Sequence, residues 1–155
     1  MKKRRANDSV GVNLQDPSQT DSGALRREKF SSLDAIFEPR SVAVIGATDR
    51  EGSVGRATLV NLNNASFQGR IYPVNPHHRQ ILGLRSYAAV REIPNSLDLA
   101  VVLTPAATVP GVVGECIDAG VKAADVISAG FKEQGADGQA LEAEIADQLS
   151  TGECG

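Results

Sequence analysis

Residues 42–56 read VAVIGATDREGSVGR: a β-branched run, a glycine, a polar loop, then Gly-Ser-Val-Gly at the entrance to an amphipathic stretch. Val42 to Ile45 is the continuous apolar run of a strand covered on both faces. Beyond the loop, Val54, Ala57, Leu59, Val60 and Leu62 recur near helical spacing as far as Asn64. Strand, tight loop and helix make the βα unit from which parallel sheets are assembled.

Working outward, the same alternation continues. Upstream, Ser32 is placed to cap a short helix carrying Leu33, Ile36 and Phe37, which Pro39 stops. Downstream, Arg70 to Val74 forms a second strand, cut short by Asn75 and Pro76. Residues 77–94 read as a short hairpin or extended crossover turning at Gly83, followed by a brief helix that ends near Pro94. Leu97 to Leu103 is a third buried strand; Thr104 and Pro105 lead into a helix over 107–119 that Gly120 caps. Lys122 to Ser128 is a further strand, weakened by Asp125 and closed by Gly130, and Asp137 to Leu149 is an amphipathic helix. The fold class is α/β, a Rossmann-like doubly wound parallel sheet with right-handed crossovers. Such a sheet ordinarily has another strand after this last helix. None follows in the sequence, so the C-terminal part of the domain is expected to be missing.

Composition sets bounds. The 155 residues are 41% hydrophobic and 23% charged, a globular balance with room for one domain. Residues 1–30 carry seven Lys/Arg against four acids, and with a net charge of −3 overall the remainder stands at −6. The basic, weakly hydrophobic start reads as a flexible polar tail over 1–30, ahead of a domain over 31–149 and terminal residues 150–155. An acidic body argues against nucleic acid as a partner. No apolar run is long enough for a membrane span and no signal-peptide core follows the basic start, so a cytoplasmic location and no membrane partner are expected. Cys116 and Cys154 are too few for a disulfide framework or a zinc site, and Cys116, in GECIDAG, reads as a small buried hydrophobe. No metal site is expected.

Ligands of such sheets bind at the carboxyl ends of the strands, where loop amides and a helix start face negative charge. The loop GATDREGSVG lies there. Gly52 and Gly55 allow close backbone approach, Thr48 and Ser53 bring hydroxyls, and the helix after Ser53 adds its dipole, so a pyrophosphate is the natural guest. A glycine-rich turn also serves simple βα packing. The loop lacks the lysine of GxxxxGK[ST], which argues against nucleoside triphosphate hydrolysis. It also departs from GxGxxG, with Thr48 where the second glycine would stand. The second strand ends in Val-Asn-Pro-His-His-Arg (74–79), without the acid that receives an unphosphorylated ribose. A phosphorylated ribose fits that end better, and both coenzyme A and NADP carry one. His77 and His78 read as solvated loop residues rather than a metal pair, and Arg79 as an exposed loop cation.

SLDAIFEPRSVAVIGATDREGSVGR, GRIYPVNPHHRQILGLRSY, DLAVVLTPAATVP and VISAGFKEQG occur in this order. Together they resemble the N-terminal CoA-binding domain of the nucleoside-diphosphate-forming acyl-CoA synthetases, such as ADP-forming acetate–CoA ligase. That domain also opens related protein acetyltransferases and is similar to the succinyl-CoA synthetase alpha chain. The resemblance covers about residues 31–148. It implies that Gly46, Ala47, Thr48, Gly52, Ser53, Val54 and Gly55 hold the CoA pyrophosphate region. Asn75, Pro76 and His77, with Tyr72, Pro73, Val74 and His78, match a motif beside the cofactor's nucleotide part. Thr104 and Pro105, with Ala106, match a loop lying against the cofactor, and Ser128, Ala129, Gly130 and Phe131 match the loop after the next strand. His77 stands where the family usually has lysine, and an imidazole attracts a ribose phosphate less than an ammonium near neutral pH.

Family members continue with a strand ending in GPN, a second domain with a phosphorylated histidine and a nucleotide-binding domain. This sequence ends before all of them, and neither His77 nor His78 matches that histidine. The resemblance therefore implies a CoA-binding module, truncated and not catalytic alone, whose ligase or acetyltransferase domains are supplied by another chain. The alternative that the loop leaves open is an NADP-binding fragment of an oxidoreductase. A fragment too incomplete to bind either is the third reading.

Overall fold

The β-branched run at residue 42 becomes an inner strand. In the computed structural model, which describes residues 34–65, 67–128, 131 and 135–152, the elements run β1 (Ser41–Ile45), α1 (Val54–Asn64), β2 (Arg70–Val74), β3 (Gln80–Ile81), β4 (Leu84–Arg85), β5 (Leu99–Val102), α2 (Val109–Asp118), β6 (Ala123–Val126) and α3 (Ala136–Gly152). Single 3-10 turns occupy Val90–Glu92 and Ala106–Thr108. The tail expected over 1–30, the cap at Ser32, and Ala129, Gly130 and residues 153–155 lie outside the described residues. Among those described, no helix is long and apolar enough to cross a membrane.

The four long strands form one parallel sheet in the order β2-β1-β5-β6. Pairing on both edges leaves β1 buried throughout, and alternate side chains then divide between two layers. Ala43 and Ile45 join Tyr72, Val74, Ala100 and Val102 beneath Val109, Val113 and Cys116 of α2. Val42 and Val44 join Leu99 and Val101 beneath Leu59 of α1 and Ile81 of the hairpin. Each fully buried Val, Leu or Ile contributes about 1.5–3 kcal/mol relative to exposure, so this central strand belongs to both cores. α3 covers α2, with Ile145 packed against the α2-side core. Cys116 is part of that core; burial first, then the charge of Glu115, pushes its thiol up to about 11, so it stays protonated.

Two elements differ from the sequence reading. The helix expected from 107 begins as a 3-10 turn and becomes α-helical only at Val109, because Pro110 occupies the first turn, where a missing N–H costs nothing. The strands expected over 97–103 and 122–128 pair only at Leu99–Val102 and Ala123–Val126. β6 is the last strand of the described sheet, and there Ala124 and Asp125 are exposed.

The turn at Gly83 exists, with β3 and β4 paired antiparallel around it. Leu82 and Gly83 both have positive φ, 49° and 80°, the combination a two-residue hairpin turn requires.

At the amino ends of the strands, Asp98 ties three of them together. Its Oδ2 accepts from Arg40 N at 2.8 Å, its Oδ1 accepts from Lys122 Nζ at 2.6 Å, and its own N–H donates to Ser41 Oγ at 2.9 Å. The hydrogen bond from Lys122 holds the Asp98 carboxyl below its ordinary value of 3.8, with Arg40 N–H and Ser41 adding to it against the cost of burial. A depressed folded-state pKa contributes stability above the unfolded value and loses it as pH falls through the folded value. Asp98→Asn is therefore expected to lower the melting temperature at pH 7, with the gap to the native chain closing as pH falls below the ordinary value of 3.8 and through the lowered folded-state value. A gap independent of pH would assign the effect to packing alone.

Gly55 sets how closely α1 approaches β1. A Cβ there would run into the carbonyl oxygen of Gly46. Overpacking of this kind costs about 1–3 kcal/mol, so Gly55→Ala should lower the unfolding free energy by that amount, read as a lower urea midpoint at unchanged slope. A midpoint equal to that of the native chain would mean that α1 moves aside freely.

Candidate functional site

At the carboxyl end of the sheet, β1 turns back toward β2 while β5 lies on its other side, a topological switch point where the loops diverge. Gly46 N still donates to Val74 O at 3.1 Å, and Leu103 N to Ile45 O at 2.8 Å; beyond these bonds the chains separate. Gly46 has φ +87°, and a Cβ on it would lie 3.0 Å from Leu103 O, so both its turn and its neighbour demand glycine.

The glycine loop closes on itself. Thr48 Oγ1 accepts from Arg50 N at 3.2 Å, and Arg56 donates to Asp49 O at 3.0 Å. Ser53 is the N-cap of α1: its Oγ donates to Arg50 O at 2.6 Å and accepts from Arg56 N at 3.3 Å. The hydroxyl anticipated for a phosphate oxygen is thus committed to capping. Gly52 has φ +74° in open space, Val54 is 59% exposed, and Gly55 is buried against Gly46, so only Gly52 has the freedom expected of a residue approached by a ligand.

Asn75 locks this loop to the second strand. Its Nδ2 donates to Ala47 O at 2.8 Å, its Oδ1 accepts from His77 N at 2.8 Å, and its own N–H donates to Tyr87 O at 2.9 Å. Ala47 is fully buried and acts through that carbonyl. On the other side, Ser128 Oγ donates to Thr104 O at 2.8 Å, bracing the loop after β5. Thr104 Oγ1 is buried and makes no hydrogen bond.

Six of the expected residues line one cleft of ≈ 460 Å³: Gly46, Asn75, Pro76, His77, Thr104 and Pro105. Thr48, Ser53 and Ser128 support its rims, Gly52 and Val54 lie on the outer loop, and Ala129 and Gly130 fall outside the described residues. The remaining walls were not anticipated. Ala88, Ala89 and Val90 come from the segment after the hairpin, and Thr108, Val112 and Glu115 come from the cap and body of α2. The last three recur at helical spacing and so share a face, a signal present in the sequence. Ala88–Val90 carried no such signal, because they reach the cleft through the bridge between Tyr87 and Val74.

A cleft with apolar walls, glycine backbone at a strand end and an unsatisfied buried hydroxyl can seat an extended ligand with an anionic segment. Among the described residues no group of three or more His, Cys, Asp or Glu could hold a metal. The residues fit coenzyme A on these features: the Gly46 turn lines the cleft at the strand end, and Thr104 Oγ1 lacks a partner within the protein.

Comparison with known proteins bears on the ligand. The family described as "CoA binding domain" matches residues 40–150. An ADP-forming acetate–CoA ligase I of Archaeoglobus fulgidus is 47% identical over 115 residues, 74% of this chain and 16% of that protein. The alpha subunit of the ADP-forming acetate–CoA ligase I of Pyrococcus furiosus is 42% identical over 120 residues, 75% of this chain and 26% of that subunit. Among solved structures, an acetyl-coenzyme A synthetase 1 of Ca. Korarchaeum cryptofilum in complex with phosphate and ADP aligns with TM-score 0.73 at 37% identity, over 79% of this chain and 26% of that one. The chain thus spans about a sixth to a quarter of these relatives. These matches favour coenzyme A over the dinucleotide that the loop alone left open. With its Rossmann-like sheet, its glycine turn at Gly46 and its Asn75 lock, this chain belongs to the CoA-binding domain family and is related to the ADP-forming acyl-CoA synthetases.

Proposed function

We propose that this domain serves as the CoA-binding module of a nucleoside-diphosphate-forming acyl-CoA synthetase or a related protein acetyltransferase. The observation that carries the reading is the cleft at the switch point, with Gly46 and Asn75 in its lining and the orphaned Thr104 hydroxyl in its wall. Bound coenzyme A supplies the thiol that receives an acyl group. The residues of this chain bind and orient it. Gly46 and Gly52 admit the anionic segment close to backbone, Asn75 holds the loop that does so, and Val90, Pro105 and Val112 give the apolar surface against which the uncharged parts lie. In this reading the cleft's task is positioning. Activation of the acyl group falls to other domains, on this or a partner chain.

Calorimetric titration with coenzyme A and with NADP tests the reading. Coenzyme A is expected to bind saturably and, at a hundredfold excess over its Kd, to stabilise the fold by about 2.7 kcal/mol, seen as a rise of several degrees in melting temperature. NADP at the same concentration should leave the melt unchanged. The reverse ranking would return the oxidoreductase alternative, and a cooperative melt insensitive to both ligands would remove the binding function. Thr104→Val keeps shape and removes the hydroxyl. It should leave the unliganded melt unchanged or raised and weaken coenzyme A about tenfold; unchanged affinity would detach Thr104 from the ligand.

A further inference from the structure

Among the described residues that line the cleft, Glu115 alone is an acid. It stands on the α2 wall, which no sequence motif announced. Thr108, Val112 and Glu115 lie four and three residues apart, so they form one stripe beside the buried stripe of Val109, Val113 and Cys116. Val112 and Glu115 are half-buried. The wall across from them is Ala88–Val90, which leads into the 3-10 turn that packs against α2.

Most polar groups around the cleft are already engaged. Thr108 Oγ1 donates to Pro105 O at 2.7 Å, and the Asn75 amide is bonded through both its nitrogen and its oxygen. Glu115 differs. Its backbone carbonyl accepts from Ala119 N at 3.0 Å, but its carboxylate makes no ion pair or side-chain hydrogen bond among the described residues. The position does not serve the helix either: Glu115 and Asp118 occupy the last turn of α2, which holds no basic residue, and acids there oppose the helix dipole. Carboxylate and helix end together make this the negative end of the cleft. It repels a phosphate and attracts a neutral group with an N–H to donate.

We infer that Glu115 selects the base of the bound cofactor, its carboxylate accepting from the exocyclic amino group of adenine. The inference rests on the reading of the cleft as a coenzyme A site. Coenzyme A joins its adenine directly to the phosphorylated ribose that suits the end of β2, and Asn75, Pro76 and His77 from that end line the same cleft. The base therefore enters between Ala88–Val90 and Val112, where small and apolar side chains accept a flat ring. Its amine is the donor it can turn toward the α2 wall. The pyrophosphate, at the glycine loop, stays clear of the carboxylate. A site that hydrogen-bonds a ligand N–H discriminates against an analogue without it, because the acceptor then gives up water and gains no partner.

Coenzyme A and an analogue carrying unsubstituted purine in place of adenine are titrated calorimetrically into the native chain, Glu115→Gln and Glu115→Ala, with a melting curve for each protein. The native chain should bind coenzyme A about tenfold more tightly than the analogue. Glu115→Ala should remove most of that ratio by weakening coenzyme A, while the analogue, whose phosphates no longer face a carboxylate, binds as before or more tightly. Glu115→Gln keeps a carbonyl acceptor and should restore part of the ratio. A side chain that merely shapes the wall would move both ligands together, and that result overturns the inference. Equal affinities in the native chain also overturn it, as does a ratio that persists in Glu115→Ala; each leaves the coenzyme A reading standing. If neither ligand binds the native chain, the two readings fall together. Should Glu115→Ala melt too low to titrate, Glu115→Gln carries the test, and its ratio must fall below the native one.

Discussion

The site depends on what happens when the hydrogen bonding of β1 runs out. Through Ile45 the strand is paired on both edges and buried on both faces. One residue later the ladders end, and the chain must leave the sheet between two neighbours that allow it almost no width. Only a glycine can turn there, at φ +87° and 3.0 Å from the Leu103 carbonyl for any added Cβ. The helix that follows must then come back close enough to cover the sheet, which makes Gly55 stand against Gly46. Two glycines that look alike in sequence thus answer different constraints: one turns the chain out of the sheet beside Leu103, and the other closes helix against strand.

The polar groups around that turn form a division of labour. Asn75 spends all three of its donors and acceptors named here on Ala47, His77 and Tyr87, and thereby joins the glycine loop, the end of β2 and the segment after the hairpin into one rim. Ser53 is likewise consumed in holding its own loop, and Thr48 Oγ1 accepts there from Arg50 N. Rigid rims of this kind reduce the ordering cost when a flexible ligand binds. A hydroxyl near a phosphate-sized space is therefore no measure of ligand contact until its existing bonds are counted. By that count Thr104 and Ser86 are available, while Ser53 is not.

Much of the sheet was legible because its signals are local. The runs at Val42 and Arg70 and the periodicity after Val54 specify strand, strand and helix with hardly a residue of error, since burial on both faces and amphipathic spacing leave their mark on consecutive residues. The third and fourth strands were read too long, because apolar composition extends beyond the point where a partner strand is present to pair. In the site, Gly46 and Asn75 were accessible through the rule that ligands meet strand ends, and Thr104 and Pro105 through the family resemblance. The wall from Ala88 to Val90 was not, since small and apolar residues there say nothing until Tyr87 bonds to Pro73 and carries them to the rim.

That same bond explains why the hairpin is in the fold at all. A two-residue by two-residue ribbon has little stability of its own, and it stays only because Ile81 is buried in the α1-side core while Tyr87 is tied to β2 and packed on Tyr72. Structural economy would be served by a shorter crossover from β2 to β5. The longer path sets Arg85 on an aromatic platform and leaves Ser86 buried and unsatisfied next to the switch point. Around Asn75 and Asp98 the fold satisfies its polar groups closely, whereas beside the switch point it leaves the Ser86 and Thr104 hydroxyls unpaired, a local cost that a ligand there can remove.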